Sequence, residues 1–190
     1  MSEPTDETKR VLLVDDDEAV RVALKRTLRP DGYLIECLPS AQEALELMPK
    51  FRPHLVISDH LMPNMTGLQF LRLVRTRYPD TIRILVTAHA ESQVAIDAIN
   101  SGELYRFITK PWAVAEVRMN LHLAFEHLAV QVKHRRILAM ARRMTSLIDS
   151  ERPNNELSPA TTEKILDLAR SIAMTEEDTT ALDIRPMTKP

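Results

Sequence analysis

A chain of 190 residues has room for one domain of ordinary size plus an extension, since domains cluster at about 100 to 150 residues. Its 44% hydrophobic content is enough for a real core, and a formal net charge of -2 at pH 7 gives the molecule as a whole no strong field for nucleic acid or an acidic membrane surface. The single cysteine, Cys37, excludes an internal disulfide, and no run approaches the roughly 20 apolar residues that cross a bilayer.

The polar start, MSEPTDETKR, has no hydrophobic stretch of signal-peptide length behind it, so residues 1–8 are expected as a flexible N-terminus and the cytoplasm as the compartment. Apolar bursts of strand length then alternate with stretches of helical period. The bursts are Val11 to Val14, Tyr33 to Leu38, His54 to Ser58, Ile82 to Thr87 and Leu104 to Ile108. Between them lie Glu18 to Leu28, Ser40 to Met48, Thr66 to Tyr78 and Glu91 to Ser101, each with apolar residues three and four apart. Turn signals at Pro30-Asp31-Gly32, Pro53, Pro79-Asp80 and Ser101-Gly102 punctuate the joints, and Ser40 with Glu43 has capping-box spacing. This alternation predicts an α/β fold, a parallel sheet wrapped by helices.

In open sheets of this kind ligands bind beyond the carboxyl ends of the strands, where the winding changes direction. Five chemically telling residues fall at those ends: Asp15 and Asp16 after the first strand, Asp59 after the third, Thr87 at the end of the fourth and Lys110 just past the fifth. Three carboxylates brought together raise one another's pKa values and call for a cation. Magnesium suits them, because it takes hard oxygen ligands, keeps several waters and leaves room for a phosphate oxygen. Each residue alone also fits a plain role: a turn acid, the last residue of a strand, a solvated lysine. Their joint order makes the site.

The segments VLLVDDDEAVR (11 to 21), LVISDHLMPNMTGLQFL (55 to 71), ILVTAHA (84 to 90) and YRFITKPW (105 to 112) resemble the receiver domain of bacterial two-component response regulators, over residues 9–128. The resemblance implies a flavodoxin-like, doubly wound, five-stranded parallel sheet of order 2-1-3-4-5. It implies that Asp59 is the phosphate acceptor, and that Asp15 and Asp16 hold Mg2+, Asp16 directly and Asp15 through water, with Asp59 and the Leu61 backbone carbonyl as further ligands. Thr87 is then the switch hydroxyl, Phe107 the aromatic that turns inward with it, and Lys110 the lysine that pairs with phosphate, followed by a cis bond to Pro111. Pro63 and Gly67 match the loop positions after the acceptor, and Leu61 and His89 the positions that tune phosphate lifetime. The implied partner is a sensor histidine kinase, and the only catalysis implied is of the chain's own phosphorylation and dephosphorylation. A phosphoaspartate hydrolase of the haloacid-dehalogenase type needs an acid two residues after its nucleophile, where Leu61 follows Asp59; Asp15 and Asp17 offer another pairing.

Beyond Pro111 no glycine or proline occurs until Pro153, and Ala113 to Asp149 has helical composition. Residues 129–149 are expected to continue the last receiver helix. Val130, Ile137 and Met144, with Ala141 and Ile148, repeat at sevenfold spacing, which suits a short coiled coil and a homodimer through the helix after residue 113; a helix folded back on its own domain is the alternative. Lys133, Arg135, Arg136, Arg142 and Arg143 place five positive charges over 133–143, a solvated face or a nucleic-acid contact, and the lack of aromatics argues against the latter. A linker at 150–157, an amphipathic helix at 158–174 and a loose tail at 175–190 complete the expected layout. The extension has no phosphate-binding loop, helix-turn-helix or GGDEF signature, which leaves a regulator acting on an unidentified protein or a receiver cut from a longer regulator with an enzyme or ATPase output.

Overall fold

The computed structural model describes residues 8–88, 93–151 and 159–180. Five parallel strands, β1 (Arg10–Val14), β2 (Leu34–Leu38), β3 (Leu55–Asp59), β4 (Ile82–Thr87) and β5 (Arg106–Thr109), form one sheet in the order β2-β1-β3-β4-β5. Helices α1 (Glu18–Leu28), α2 (Ala41–Phe51), α3 (Gly67–Arg77), α4 (Gln93–Asn100) and α5 (Val114–Glu151) follow the five strands in turn, and α6 (Pro159–Thr180) comes last. The sheet is buried on both faces, which is why its central strands are runs of Val, Leu and Ile with no polar alternation. Val11, Leu13, Ile57, Ile84 and Ile108 look toward α1 and the first half of α5, packing with Leu24, Val117 and Leu121. Leu12, Val14, Val56 and Leu85 look the other way, toward Ala44, Met48, Phe70 and Leu71 of α2 and α3.

The helix starts are set by side chains that satisfy the otherwise orphaned first N–H groups. Asp17 accepts from the Ala19 N–H at 2.8 Å and caps α1. Ser40 caps α2 by accepting from the Glu43 N–H, while its hydroxyl donates to Glu43 Oε1 at 2.9 Å, so only half of the reciprocal box forms there. The full capping box is at α3, between Thr66 and Gln69.

Several boundaries differ from the sequence expectation. Helix α2 continues through Pro49 to Phe51 and stops where Arg52 adopts φ 48°, because a proline in the last turn costs a single backbone donor. Strand β5 begins at Arg106, since the N–H groups of Glu103 and Leu104 both turn back to the Ala98 carbonyl at the end of α4. Helix α6 runs to Thr180, past the boundary at 174 and into the segment expected as loose, because no glycine or proline interrupts the chain between Pro159 and Pro186. Helix α5 likewise enters the expected linker and ends at Glu151; the rest of that linker, residues 1–7 and residues 181–190 lie outside the described residues.

The chain divides into two compact units, Met1–Leu128 and Ala129–Pro190. The first holds the sheet and both core layers. In the second, the outer part of α5 and α6 are neighbours: Arg143 and Leu147 of α5 line a groove with Lys164, Asp167, Leu168 and Ser171 of α6. Among the described residues no helix is long and apolar enough to cross a membrane.

Candidate functional site

The winding reverses between β1 and β3, the neighbours at the centre of the sheet, so the crevice of this fold opens beyond their carboxyl ends. Asp15 follows β1 directly and Asp59 is the last residue of β3; the two are 2% and 7% exposed. Lys110 lies one residue beyond β5 and reaches back across the edge. Its Nζ donates to Asp15 Oδ2 at 3.0 Å and lies 2.5 Å from Asp59 Oδ1. Two buried carboxylates from separate strands are thus held against one ammonium.

The opposing forces show at Asp15 and at Lys110. Burial pushes the Asp15 carboxyl up, and the Asp59 charge adds to this; the Lys110 ammonium and the Asp17 N–H, which donates to Asp15 Oδ1 at 2.9 Å, offset only part. Burial works against the Lys110 ammonium too, but hydrogen bonds and charge from Asp59 and Asp15 outweigh it, and its pKa is raised.

The remaining side of Asp59 is fixed by backbone. The Leu61 N–H donates to Asp59 Oδ2 at 2.7 Å, so the loop after β3 folds onto the carboxylate. The His60 N–H donates to the Val86 carbonyl and the Gly67 N–H to the His60 carbonyl, both at 2.9 Å, which brings the start of α3 against the strand end. A Cβ at Gly67 would lie 1.8 Å from the Asp59 backbone oxygen, so no side chain fits there. Asn64 takes φ 65° within the same loop, and His60 Nδ1 is buried without a hydrogen-bond partner.

Thr87 ends β4 one residue beyond Val86, the register partner of Asp59, and is buried; its carbonyl accepts from the Lys110 N–H at 2.8 Å. The Lys110–Pro111 bond is cis. Phe107 is half-buried on the face of the sheet that carries Leu85, in the core layer that Ala98 of α4 joins. His89 lies outside the described residues.

Asp16 is exposed, and among the described residues no three acids, histidines or cysteines form a ready-made metal cage. The donors still fit a magnesium ion. It takes one or two carboxylates and keeps its waters, and the edge offers the buried pair Asp15 and Asp59, with Asp16 next to Asp15 in the chain. Asp17 is occupied as the cap of α1, so the alternative Asp15 and Asp17 pairing loses its second acid.

One contributor escaped the sequence reading. The Arg21 guanidinium on α1 donates to the Asp15 carbonyl at 2.6 Å and to the Asp16 carbonyl at 3.0 Å, pinning the turn that presents both acids. An arginine one turn into an amphipathic helix carries no signal of this in the sequence; only its six-residue offset from Asp15 hints at it.

A family model described as the response regulator receiver domain matches residues 11–122. The chain is 40% identical over 118 residues to the response regulator protein FleR of Pseudomonas aeruginosa, covering 62% of this chain and 24% of that one. Among solved structures it resembles the signal receiver domain of an HD domain-containing protein from Pseudomonas fluorescens Pf-5 (35% identity, TM-score 0.62, 65% of this chain and 99% of that one). It also resembles the beryllofluoride-activated NtrC4 receiver domain dimer (30% identity, TM-score 0.60, 64% and 99%). The chain spans about a fifth to a quarter of the length of the first curated relatives it matches.

Proposed function

The chain belongs to the response regulator receiver family of two-component signalling, and from that premise we propose that Asp59 is its phosphoryl acceptor, with a phosphohistidine of a sensor kinase as donor. The observation that carries this reading is Lys110 Nζ drawn onto both Asp15 and Asp59 at one sheet edge.

An Asp59 oxygen attacks the phosphorus, the bond between phosphorus and the donor imidazole nitrogen breaks, and the imidazole leaves with the electron pair and takes up a proton. A carboxylate becomes competent here through placement and charge. The Leu61 N–H holds one Asp59 oxygen and so orients the other toward the donor. Lys110 stabilises charge on the phosphoryl oxygens, the role of an ammonium aimed where charge develops. Asp15, Asp16, Asp59 and the Leu61 carbonyl would hold Mg2+, which when bound neutralises the carboxylates and the incoming phosphate. Hydrolysis of the acyl phosphate resets the site, so any catalysis acts on the chain's own phosphorylation and dephosphorylation.

The new phosphoryl oxygens offer a hydrogen-bond acceptor to the Thr87 hydroxyl. Moving Thr87 shifts the end of β4 relative to β5, where Phe107 is half-buried and would turn inward. Thr87 and Phe107 are the two-state element that the modification biases. The output is a change in protein contact or in pairing of two chains through the helix after residue 113, read by a downstream protein in the cytoplasm. A second reading is supported by the relatives' greater length: this receiver gates an output region beyond the segment it shares with them.

Trp112 is the chain's single tryptophan and lies two residues from Lys110, so its fluorescence reports on the site. Titration with Mg2+, then beryllofluoride, is expected to shift its emission in two steps in the wild type. Asp15→Asn combined with Asp16→Asn removes the first step, and Asp59→Asn removes the second. Two unchanged steps in these variants would refute the assignment.

A further inference from the structure

The arginines of the outer part of α5 share one face, and the phosphoacceptor site makes no use of it. Between Glu126 and Asp149 the chain holds Lys133, Arg135, Arg136, Arg142 and Arg143 and no acid. This stretch lies beyond residues 11–122, the part shared with the receiver family. Lys133, Ile137, Met140, Met144 and Leu147, three and four apart, are half-covered on the side of α5 toward α6, where Leu147 and Leu168 line one groove. The four arginines are exposed.

Arg135 and Arg142 are seven residues apart, as are Arg136 and Arg143. On a helix of about 3.6 residues per turn they form two rows, about 100° apart around the axis, with about 10 Å between the arginines of each row. Val132, Ala139 and Ser146, also seven apart and all exposed, run between the rows. The face is therefore a strip of short side chains with cations on both flanks. Arg136 and Arg143 form the row nearer α6; Arg143 also lines the groove there, whose acid, Asp167, lies 3.6 Å from Arg170.

The make-up of this face distinguishes between classes of partner. A protein interface centres on large apolar or aromatic anchors and keeps its charge at the rim, whereas the centre here is Val132, Ala139 and Ser146. Nucleic-acid interfaces are strongly positive and polar, with arginine forks taking phosphate oxygens. Single strands are held by stacking bases on aromatic rings, and this face has none, which leaves the duplex. An α-helix about 10 to 12 Å across enters the major groove of B-DNA, about 12 Å wide, while the deep, narrow groove of duplex RNA shuts it out. In that groove the two rows face phosphates on opposite walls, and the short residues between them read no base.

We infer that the face carrying Arg135, Arg136, Arg142 and Arg143 binds double-stranded DNA through its phosphates, without regard to sequence. The chain's net charge of -2 supplies no long-range attraction, so the contact is local and strongly dependent on salt.

Fluorescence anisotropy of a labelled DNA duplex of about 20 base pairs, titrated with the full chain, tests this. Four phosphate contacts give a slope of about -3.6 for log affinity against log salt, so raising NaCl from about 50 to about 200 mM should weaken binding about 150-fold. Arg135→Gln with Arg142→Gln removes one row and should halve the slope; glutamine at all four positions should abolish binding, while Arg26→Gln on α1 should leave it unchanged. Glutamine is a good helix former, so far-UV helicity should hold in every variant. Two duplexes of unrelated sequence should bind within about twofold of each other, and a single strand or an RNA duplex of the same length at least about tenfold more weakly. No binding at the lower salt, binding that survives the four glutamines, or tighter binding of the single strand would each overturn the inference. So would polyglutamate that displaces the labelled duplex as well as unlabelled duplex does at equal charge, an outcome that assigns the face to an acidic protein.

Discussion

Lys110→Met tests how the acidic edge is balanced. In the wild type the ammonium meets Asp15 at 3.0 Å and Asp59 at 2.5 Å, and both acids are at least nine-tenths buried. Methionine keeps the volume but leaves two neighbouring carboxylates without a counter-charge. Removing one partner of a buried ion pair costs roughly 3 to 5 kcal/mol. Lys110 keeps 26% of its side chain exposed, so solvent returns part of the loss and about 2 to 3 kcal/mol is expected. At about 2 to 4 °C per kcal/mol for a chain of this size, the melting temperature in EDTA should fall by about 4 to 12 °C. Magnesium should restore most of it, since the ion replaces the missing positive charge, while phosphotransfer stays low. The pH dependence carries the same signature. Lys110 has a raised pKa when folded, so the stability difference between wild type and variant is lost as pH rises through the folded lysine value; it should also shrink at acid pH, where Asp15, whose folded pKa is raised, takes up a proton and no longer needs the ammonium. Thermal melts by circular dichroism, with EDTA and with Mg2+, decide the matter. A variant as stable as the wild type in EDTA would refute the reasoning.

Gly67→Ala places a Cβ 1.8 Å from the Asp59 backbone oxygen, so α3 must retreat; a loss of about 2 to 3 kcal/mol in urea unfolding and slower labelling of Asp59 are expected. Arg21→Gln frees the carbonyls of Asp15 and Asp16 and should weaken Mg2+ binding about tenfold, about 1.4 kcal/mol, in the Trp112 titration with little change in melting temperature. Burial pushes the Cys37 thiol up, so iodoacetamide at pH 8 should modify it slowly in the folded chain and quickly in urea.

Strand ends were legible in the sequence because a doubly covered sheet writes its strands as unbroken apolar runs, and a polar residue closing such a run must stand at the rim. Asp15, Asp59, Thr87 and Lys110 each close such a run, and all four stand at one edge of the sheet. Arg21 was not legible, since its role depends on where a helix sets its side chain against a turn from an earlier strand. The end of β5 nearest α4 was misjudged because Leu104 is apolar enough for a strand while its N–H is captured by Ala98. The heptad on α5 was visible, but that α6 borders the side next to it was not: a sevenfold repeat states which face is apolar and is silent on which helix meets it.

The acceptor assignment is tested most directly by peptide mapping of the full chain after brief exposure to acetyl phosphate and Mg2+. The account predicts a single acid-stable, base-labile phosphoryl group on Asp59, absent in Asp59→Asn and absent when EDTA replaces the metal. A label on another residue with Asp59 unmodified, or one that forms equally well without Mg2+, would contradict it.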